Sequence, residues 1–335
     1  MRKVFVLVLI SFVVLMFAGI VDVVELAKQN SVTYLKAVLN FEQAKSDYDK
    51  AMIEAKNKRQ QLVAQQSWLQ AQQTYNQSLK NFYGEFFDAY IGVLESTLQV
   101  QIAQNKLRIA EIDFAEMQDL YKTGAATLQD LQSASSTKLE SQASLDEAKL
   151  NAEQSKKDLL ILLGKEVQII DPSSIKVDIK LPTVDELTTK SFAIQIAQID
   201  VQVSQMDFDS LVNPSAYTKS KYERILKIAQ SELKDTQNST RKSYESLLLT
   251  TENLKKTIQA QRETVSVAKA QLDSAENNYK VGVGSEKDLL EARSTYFTAQ
   301  KTLLSYVKSF LKNLCSLYID AGWDHQGLLS SIFGG

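Results

Sequence analysis

Tyr121-Lys122-Thr123-Gly124-Ala125-Ala126-Thr127-Leu128-Gln129-Asp130-Leu131 and Tyr279-Lys280-Val281-Gly282-Val283-Gly284-Ser285-Glu286-Lys287-Asp288-Leu289 are two forms of one phrase, set about 160 residues apart. Ala134 and Ala292 extend the match. Each copy reads as a helix end, a glycine turn and a new helix start. Gly124 and Gly282 stand where a helix C-terminus wants a left-handed residue. Thr127 and Ser285 precede Asp130 and Asp288 by three positions, the spacing of a capping box. There the hydroxyl accepts from a free backbone N–H and the carboxylate reaches back to another. A repeat this long is not a short-period solenoid. It is a duplicated helical hairpin.

The helices on either side carry heptads. Before the first glycine, apolar residues run Val100, Ala103, Leu107, Ala110, Phe114, Met117, Tyr121. Before the second they run Ile258, Val265, Ala268, Leu272, Ala275, Tyr279, with polar Gln261 filling one step. Alternating steps of three and four make a seam that packs on another helix. The return helices keep the pattern, through Leu145, Ala148 and Ala152 in one and Ala299, Leu303 and Phe310 in the other. A second seam, Leu98, Ile102, Ile109, Ile112, lies about 200° around the first outgoing helix. Two seams suit a helix with a neighbour on each side, as in the wall of a tube; a helix inside an ordinary bundle is the alternative.

Weaker matches open each half: Val23 to Leu26 against Val184 to Leu187, then Asp47-Tyr48-Asp49 against Asp207-Phe208-Asp209. Helical spans of roughly 80 Å from Ser67 to Lys122, and roughly 95 Å from Pro214 to Lys280, follow from the helix rise. Gly164 closes the first return helix. Pro172-Ser173-Ser174 and the alternation Ile175, Val177, Ile179, Leu181 predict a turn and a short strand between the halves. The chain of 335 residues has only 3 Pro and 11 Gly, so its elements are few and long. The fold expected is all-α, two tandem long antiparallel coiled-coil hairpins with little or no β. Its expected divisions are a signal peptide over 1–18, the first hairpin repeat over 19–164, a linker over 165–183, the second repeat over 184–323 and a tail over 324–335.

Arg2 and Lys3 precede an uncharged apolar run, Val4 to Val21, in the layout of a secretory signal. Met16 stands where a cleavage site wants a small residue, so an uncleaved inner-membrane anchor is the alternative. Either way the remainder is exported. The formal charge of −2 has its basic residues scattered among acids, which argues for solvated helix faces and against nucleic acid. The single cysteine, Cys315, lies in an apolar helical stretch and reads as a buried structural thiol. The single histidine, His325, reads as solvated in the tail. Neither can build a metal site or a catalytic triad, and no phosphate loop is present. No catalytic residue, metal or cofactor is therefore expected, and no enzyme activity. The dense aromatics Phe82, Tyr83, Phe86, Phe87 and Tyr90 read as core or subunit packing, with a membrane-interface belt as the alternative.

The phrase Tyr-x-x-Gly-x-x-Thr/Ser-x-x-Asp-Leu-x-x-Ala, occurring twice between heptad helices, resembles the hairpin tips of TolC-type outer membrane efflux proteins. Leu162-Leu163-Gly164 is similar to that family's close of the first repeat, and Asp320-Ala321-Gly322-Trp323 to its close of the second. The resemblance covers most of residues 22–323. It implies a homotrimeric helical tunnel, exported to the periplasm or outer membrane, whose tips meet a periplasmic adaptor coupled to an inner-membrane pump. Gly124, Thr127, Asp130, Gly282, Ser285 and Asp288 match the tip motif and are the candidate partner-binding residues, although each is first of all a turn or capping residue.

One departure is large. Members of the family insert two barrel strands in each half, and a membrane strand needs about nine to eleven alternating residues. Residues 51–68 are polar and helical, and residues 209–220 hold only Leu211-Val212-Asn213-Pro214 and a short polar run. No outer-membrane barrel is expected. The chain would then be a tunnel that docks on a separate barrel, or a periplasmic coiled-coil spacer without transport.

Overall fold

The computed structural model describes residues 19–333. The apolar run called a signal lies almost wholly outside the described residues. Among the described residues nine α-helices follow one another: α1 (Ile20–Asn30), α2 (Val32–Glu54), α3 (Lys58–Lys122), α4 (Leu128–Leu163), α5 (Val184–Lys190), α6 (Phe192–Asp209), α7 (Ala216–Lys280), α8 (Glu286–Ala321) and α9 (His325–Phe333), with one 3-10 turn at Pro172–Ser174. No strand occurs among the described residues.

The two halves share their dimensions. Both α3 and α7 have 65 residues, and both α4 and α8 have 36. At the helix rise these are about 97 Å and about 54 Å. The helix α3 begins nine residues before Ser67, because 58–66 continue the helix with Asn57 as its cap, accepting from Gln60 N at 3.0 Å.

The long helices run the whole length of the molecule and the shorter ones cover half of it. From the glycine tips to the waist, the helices lie in the order α4, α3, α8, α7. From the waist to the opposite end, the order is α2, α3, α6, α7. The outermost helices of each row do not pack together along their lengths, so the row is open. The two seams of α3 hold two neighbours. Ala103 joins Leu145 and Ala148, with Val100 and Leu107, against α4. Leu98, on the other seam, packs into the cluster that holds Leu303, Leu304 and Val307 of α8.

The core sits at the waist. There α1, α3, α8, α9 and the linker bury Phe82, Tyr83, Phe86, Phe87 and Tyr90 almost completely. Phe86 meets Phe87 edge-on with ring centroids 5.3 Å apart and stacks on Tyr90 at 5.4 Å. The aromatics are core, and not an interface belt. Cys315 is buried beside them, and burial pushes its thiol up to about 12.

Two expectations need correction here. The linker does not form a strand. Its alternation is real, with Ile175 and Val177 buried and Lys176 and Asp178 exposed. However, its backbone groups are taken by side chains. Arg262 donates to the carbonyls of Ser173 and Ile175 at 2.9 and 2.6 Å, Lys255 to Ile179 O at 2.8 Å, and Tyr318 to Lys180 O at 2.9 Å. With its carbonyls claimed by helices, the segment is an extended strap across the waist. Residues 325–333 are likewise no solvated tail. Leu328, Leu329 and Ile332 of α9 are buried in the waist, and His325 packs edge-on against Tyr83 at 5.4 Å. Burial holds the imidazole below its ordinary range.

Candidate functional site

Each tip is built by backbone geometry. Gly124 has φ 76°, and the N–H of Ala125 reaches back to Leu120 O at 2.8 Å, closing α3. Gly282 repeats this with φ 77°, and Val283 N donates to Asn278 O at 3.0 Å. A side chain at either glycine would meet the steric penalty of the left-handed region. The capping boxes then start α4 and α8. Thr127 Oγ1 accepts from Asp130 N at 3.2 Å, while Thr127 N donates to Asp130 Oδ2 at 2.9 Å. Ser285 and Asp288 form the same pair at 3.0 and 3.1 Å. The Thr127 hydroxyl also donates to Asp130 Oδ2 at 2.7 Å, and this bond first, then the one from Thr127 N–H, hold the Asp130 carboxyl below the usual range; Ser285, whose hydroxyl donates to Asp288 Oδ2 at 2.7 Å, does the same for Asp288.

A sign follows for pH. A carboxylate whose folded value is depressed adds stability that is fully present above its unfolded value, near pH 4. That contribution is lost as pH falls through the lower folded value. Amide exchange at residues 127–131 and 285–289, corrected for intrinsic rate, should therefore accelerate below about pH 4. Asp130→Asn should abolish the acid step at the first tip alone. An unchanged step in that variant would rule out the assignment.

The structure gives three of the six motif residues to each tip and staggers the tips. Lys287, near the start of α8, pairs with Asp113 at 2.8 Å, and Arg108 pairs with Glu286 at 2.7 Å. Gly124 therefore lies about 16 Å of helix beyond the level of Asp113, whereas Gly282 is close to Lys287. Further polar links join α3 to α8 toward the waist: Lys301 to Gln99 at 2.7 Å, Lys308 to Glu95 at 2.6 Å, and Lys80 to Asp320 at 2.8 Å. This ladder fixes the two hairpins against each other in one register.

Other surface features were not read from the sequence. Val281 and Val283 are 72% and 78% exposed beside Gly282. On α4, Leu128, Leu139, Leu150 and Ile161 are all exposed. They recur every eleven residues, which drifts only about 20° per step around a helix. They form one stripe facing away from α3. Across the row, α7 exposes Tyr217, Ile228, Leu249 and Val267 on one side. On α2 no residue is fully buried, and Val32, Leu35 and Leu39 are exposed on one face. Their spacing was legible; that no helix of the same chain covers them was not. Charge also divides by end. Residues 113–135 and 273–295, around the tips, hold four Lys/Arg against nine Asp/Glu; residues 45–67 and 202–224, at the other end, hold eight against six.

No group of three metal-ligating side chains stands together among the described residues, and no helix there is long and apolar enough to cross a membrane.

An open row of antiparallel helices with an apolar stripe on each free edge, ending in two glycine hairpins, is the fold of a TolC-like helical tunnel protomer. The resemblance drawn from the hairpin turns is shown. Residues 197–321 match the family model described as outer membrane efflux protein. CusC aligns over 92% of this chain and 93% of its own, with TM-score 0.56 and 16% identity. The CmeC outer membrane channel of Campylobacter jejuni aligns over 91% of this chain and 86% of its own, with TM-score 0.56 and 13% identity. The outer membrane protein VceC of Vibrio cholerae aligns over 91% and 96%, with TM-score 0.54 and 14% identity. No curated protein sequence matches the chain.

Proposed function

We propose that this chain is the protomer of a homotrimeric tunnel in an efflux or secretion assembly, exported to the periplasm or outer membrane. The observation that carries the reading is the open helix row with exposed apolar stripes on both edges. Unlike faces that meet head to tail generate a ring when the rotation closes. The α2/α4 edge of one copy meets the α7 edge of the next, and the stripes leave water. Helices with lateral seams keep two polar faces, one for a water-filled lumen and one for the outside.

The tips at Gly124, Thr127, Asp130, Gly282, Ser285 and Asp288 are the end that docks on a periplasmic adaptor coupled to an inner-membrane pump. Their acidic balance supports a basic partner surface there. At the other end only residues 55–57 join α2 to α3. That connection holds no barrel strands and favours contact with a separate outer-membrane barrel. The same observation favours a second reading, a periplasmic coiled-coil spacer without transport.

Light scattering and negative-stain microscopy of the purified chain separate the two. A trimeric ring of roughly 100 Å length, as the helix rise gives, supports the tunnel. A monomer or a solid rod overturns it and leaves the spacer.

A further inference from the structure

His325, the only histidine of the chain, opens α9. Behind it Leu328, Leu329 and Ile332 plug the waist. Two polar contacts pin the helix. Gln326 Nε2 donates to Glu25 Oε1 of α1 at 3.0 Å, and Lys176 N of the strap donates to Ile332 O at 3.1 Å. The imidazole lies edge-on to the buried Tyr83 of α3. The groups around it are poorly suited to a second cation. Lys28 of α1 is already there, its side chain only 6% exposed and its ammonium 5.8 Å from the Tyr34 ring of α2. It pairs with Glu25 Oε1 at 2.7 Å, the same oxygen that takes Gln326. Asp324 Oδ1 accepts the N–H groups of Gln326 and Gly327 at 3.1 and 2.9 Å. Burial pushes Tyr34, Tyr83 and Cys315 of α8 up, so all three stay neutral. As the first residue of α9, His325 also stands at the positive end of the helix dipole, where a cation is disfavoured.

We infer that α9 is a proton-operated latch: it closes the waist while His325 is neutral and undocks when the imidazole takes a proton, uncovering its apolar face and freeing the strap at Lys176. Burial first, and Lys28 second, hold the imidazole below its ordinary range, against weaker pulls from Asp324, the Trp323 carbonyl and Glu25. The docked helix therefore binds the proton less readily than the free one. Docking is fully present above the free value, near pH 6.5, and is lost as pH falls below it. Each pH unit below about 6.5 weakens docking by up to about tenfold, until the docked value is reached. The latch works within a single chain and rests neither on the trimer nor on the tunnel.

The test uses the full chain, purified without a histidine tag. Isotope-labelled histidine then gives a single imidazole signal, whose titration nuclear magnetic resonance follows directly. Amide exchange of residues 325–333, corrected for intrinsic rate, is measured in parallel from about pH 8 to about pH 5, on either side of the ordinary histidine value. The expected result is an imidazole that titrates below about pH 6.5, with exchange of α9 accelerating over the same range while residues 82–91 of α3 stay protected. His325→Gln should keep α9 protected throughout and lose the acid step. Lys28→Met should move the imidazole titration upward and shrink the step. Three outcomes overturn the inference: an imidazole that titrates at or above its ordinary value, protection of α9 that does not change with pH, or equal acceleration in His325→Gln. Should His325→Gln loosen α9 at every pH, Lys28→Met decides, and an unmoved imidazole titration there also overturns the latch.

Discussion

Phe86→Ala lowers the unfolding free energy by about 3–5 kcal/mol, the range for removing a large buried ring. Phe86 has no exposed surface and stands where α1, α3, α8, α9 and the strap converge. Its ring stacks on Tyr90, whose hydroxyl in turn receives Ile170 N of the linker at 2.7 Å. A void there loosens both the aromatic core and the attachment of the strap. Away from the waist the helices are held in an open row, so the waist must supply much of the cooperativity. Urea unfolding followed by far-ultraviolet circular dichroism, with hydrogen exchange of α3, measures the loss. Tyr121→Ala, at a side chain 42% exposed near the first tip, is the control and should change stability by no more than about 0.5 kcal/mol. Equal effects at the two sites would show that the waist is not the organising core.

The second large effect concerns assembly. Leu139→Asp with Leu150→Asp should leave each chain folded and abolish the ring. The two leucines are 68% and 66% exposed in the single chain, so their loss removes no internal packing. In the ring each would leave water, worth about 1.5–3 kcal/mol for a fully buried leucine. A carboxylate placed there must be desolvated, at a further cost. The seam repeats at every junction, so the effects compound. Light scattering should show the mass fall from three chains to one with an unchanged circular dichroism spectrum. Leu139→Met with Leu150→Met, which conserves volume and polarity, should keep the trimer. A trimer that survives the aspartates would take the α4 stripe out of the subunit junction.

Much of the fold was legible because its signals are local. A glycine with positive φ, a hydroxyl three residues before a carboxylate, and apolar steps of three and four act through bonds and faces within one or two turns. For this reason both tips, both caps and the heptad seams could be placed from residues alone. The second seam of α3, Leu98 and Ile102, even announced a neighbour on a second side. It could not say that the neighbour was α8 of the other repeat, in a register set by Asp113–Lys287 and Lys80–Asp320.

Where local pattern and long-range partners disagreed, the partners won. Ile175, Val177 and Ile179 alternate as a strand does, yet a strand needs another strand to take its backbone bonds. Arg262, Lys255 and Tyr318 reach those carbonyls from distant helices and make a strap instead. His325 and Leu328 follow a glycine and read as a tail, but the waist leaves an apolar space that α9 fills. The stagger of the tips and the open edges with their uncovered leucines are also tertiary facts. Sequence by itself determined where the two long hairpins turn and which faces of their helices are apolar, because those follow from hydrogen bonds and periodicity close along the chain. Only the tertiary structure decided which apolar faces are covered within one chain and which are left for another molecule, because burial depends on residues tens to hundreds of positions away.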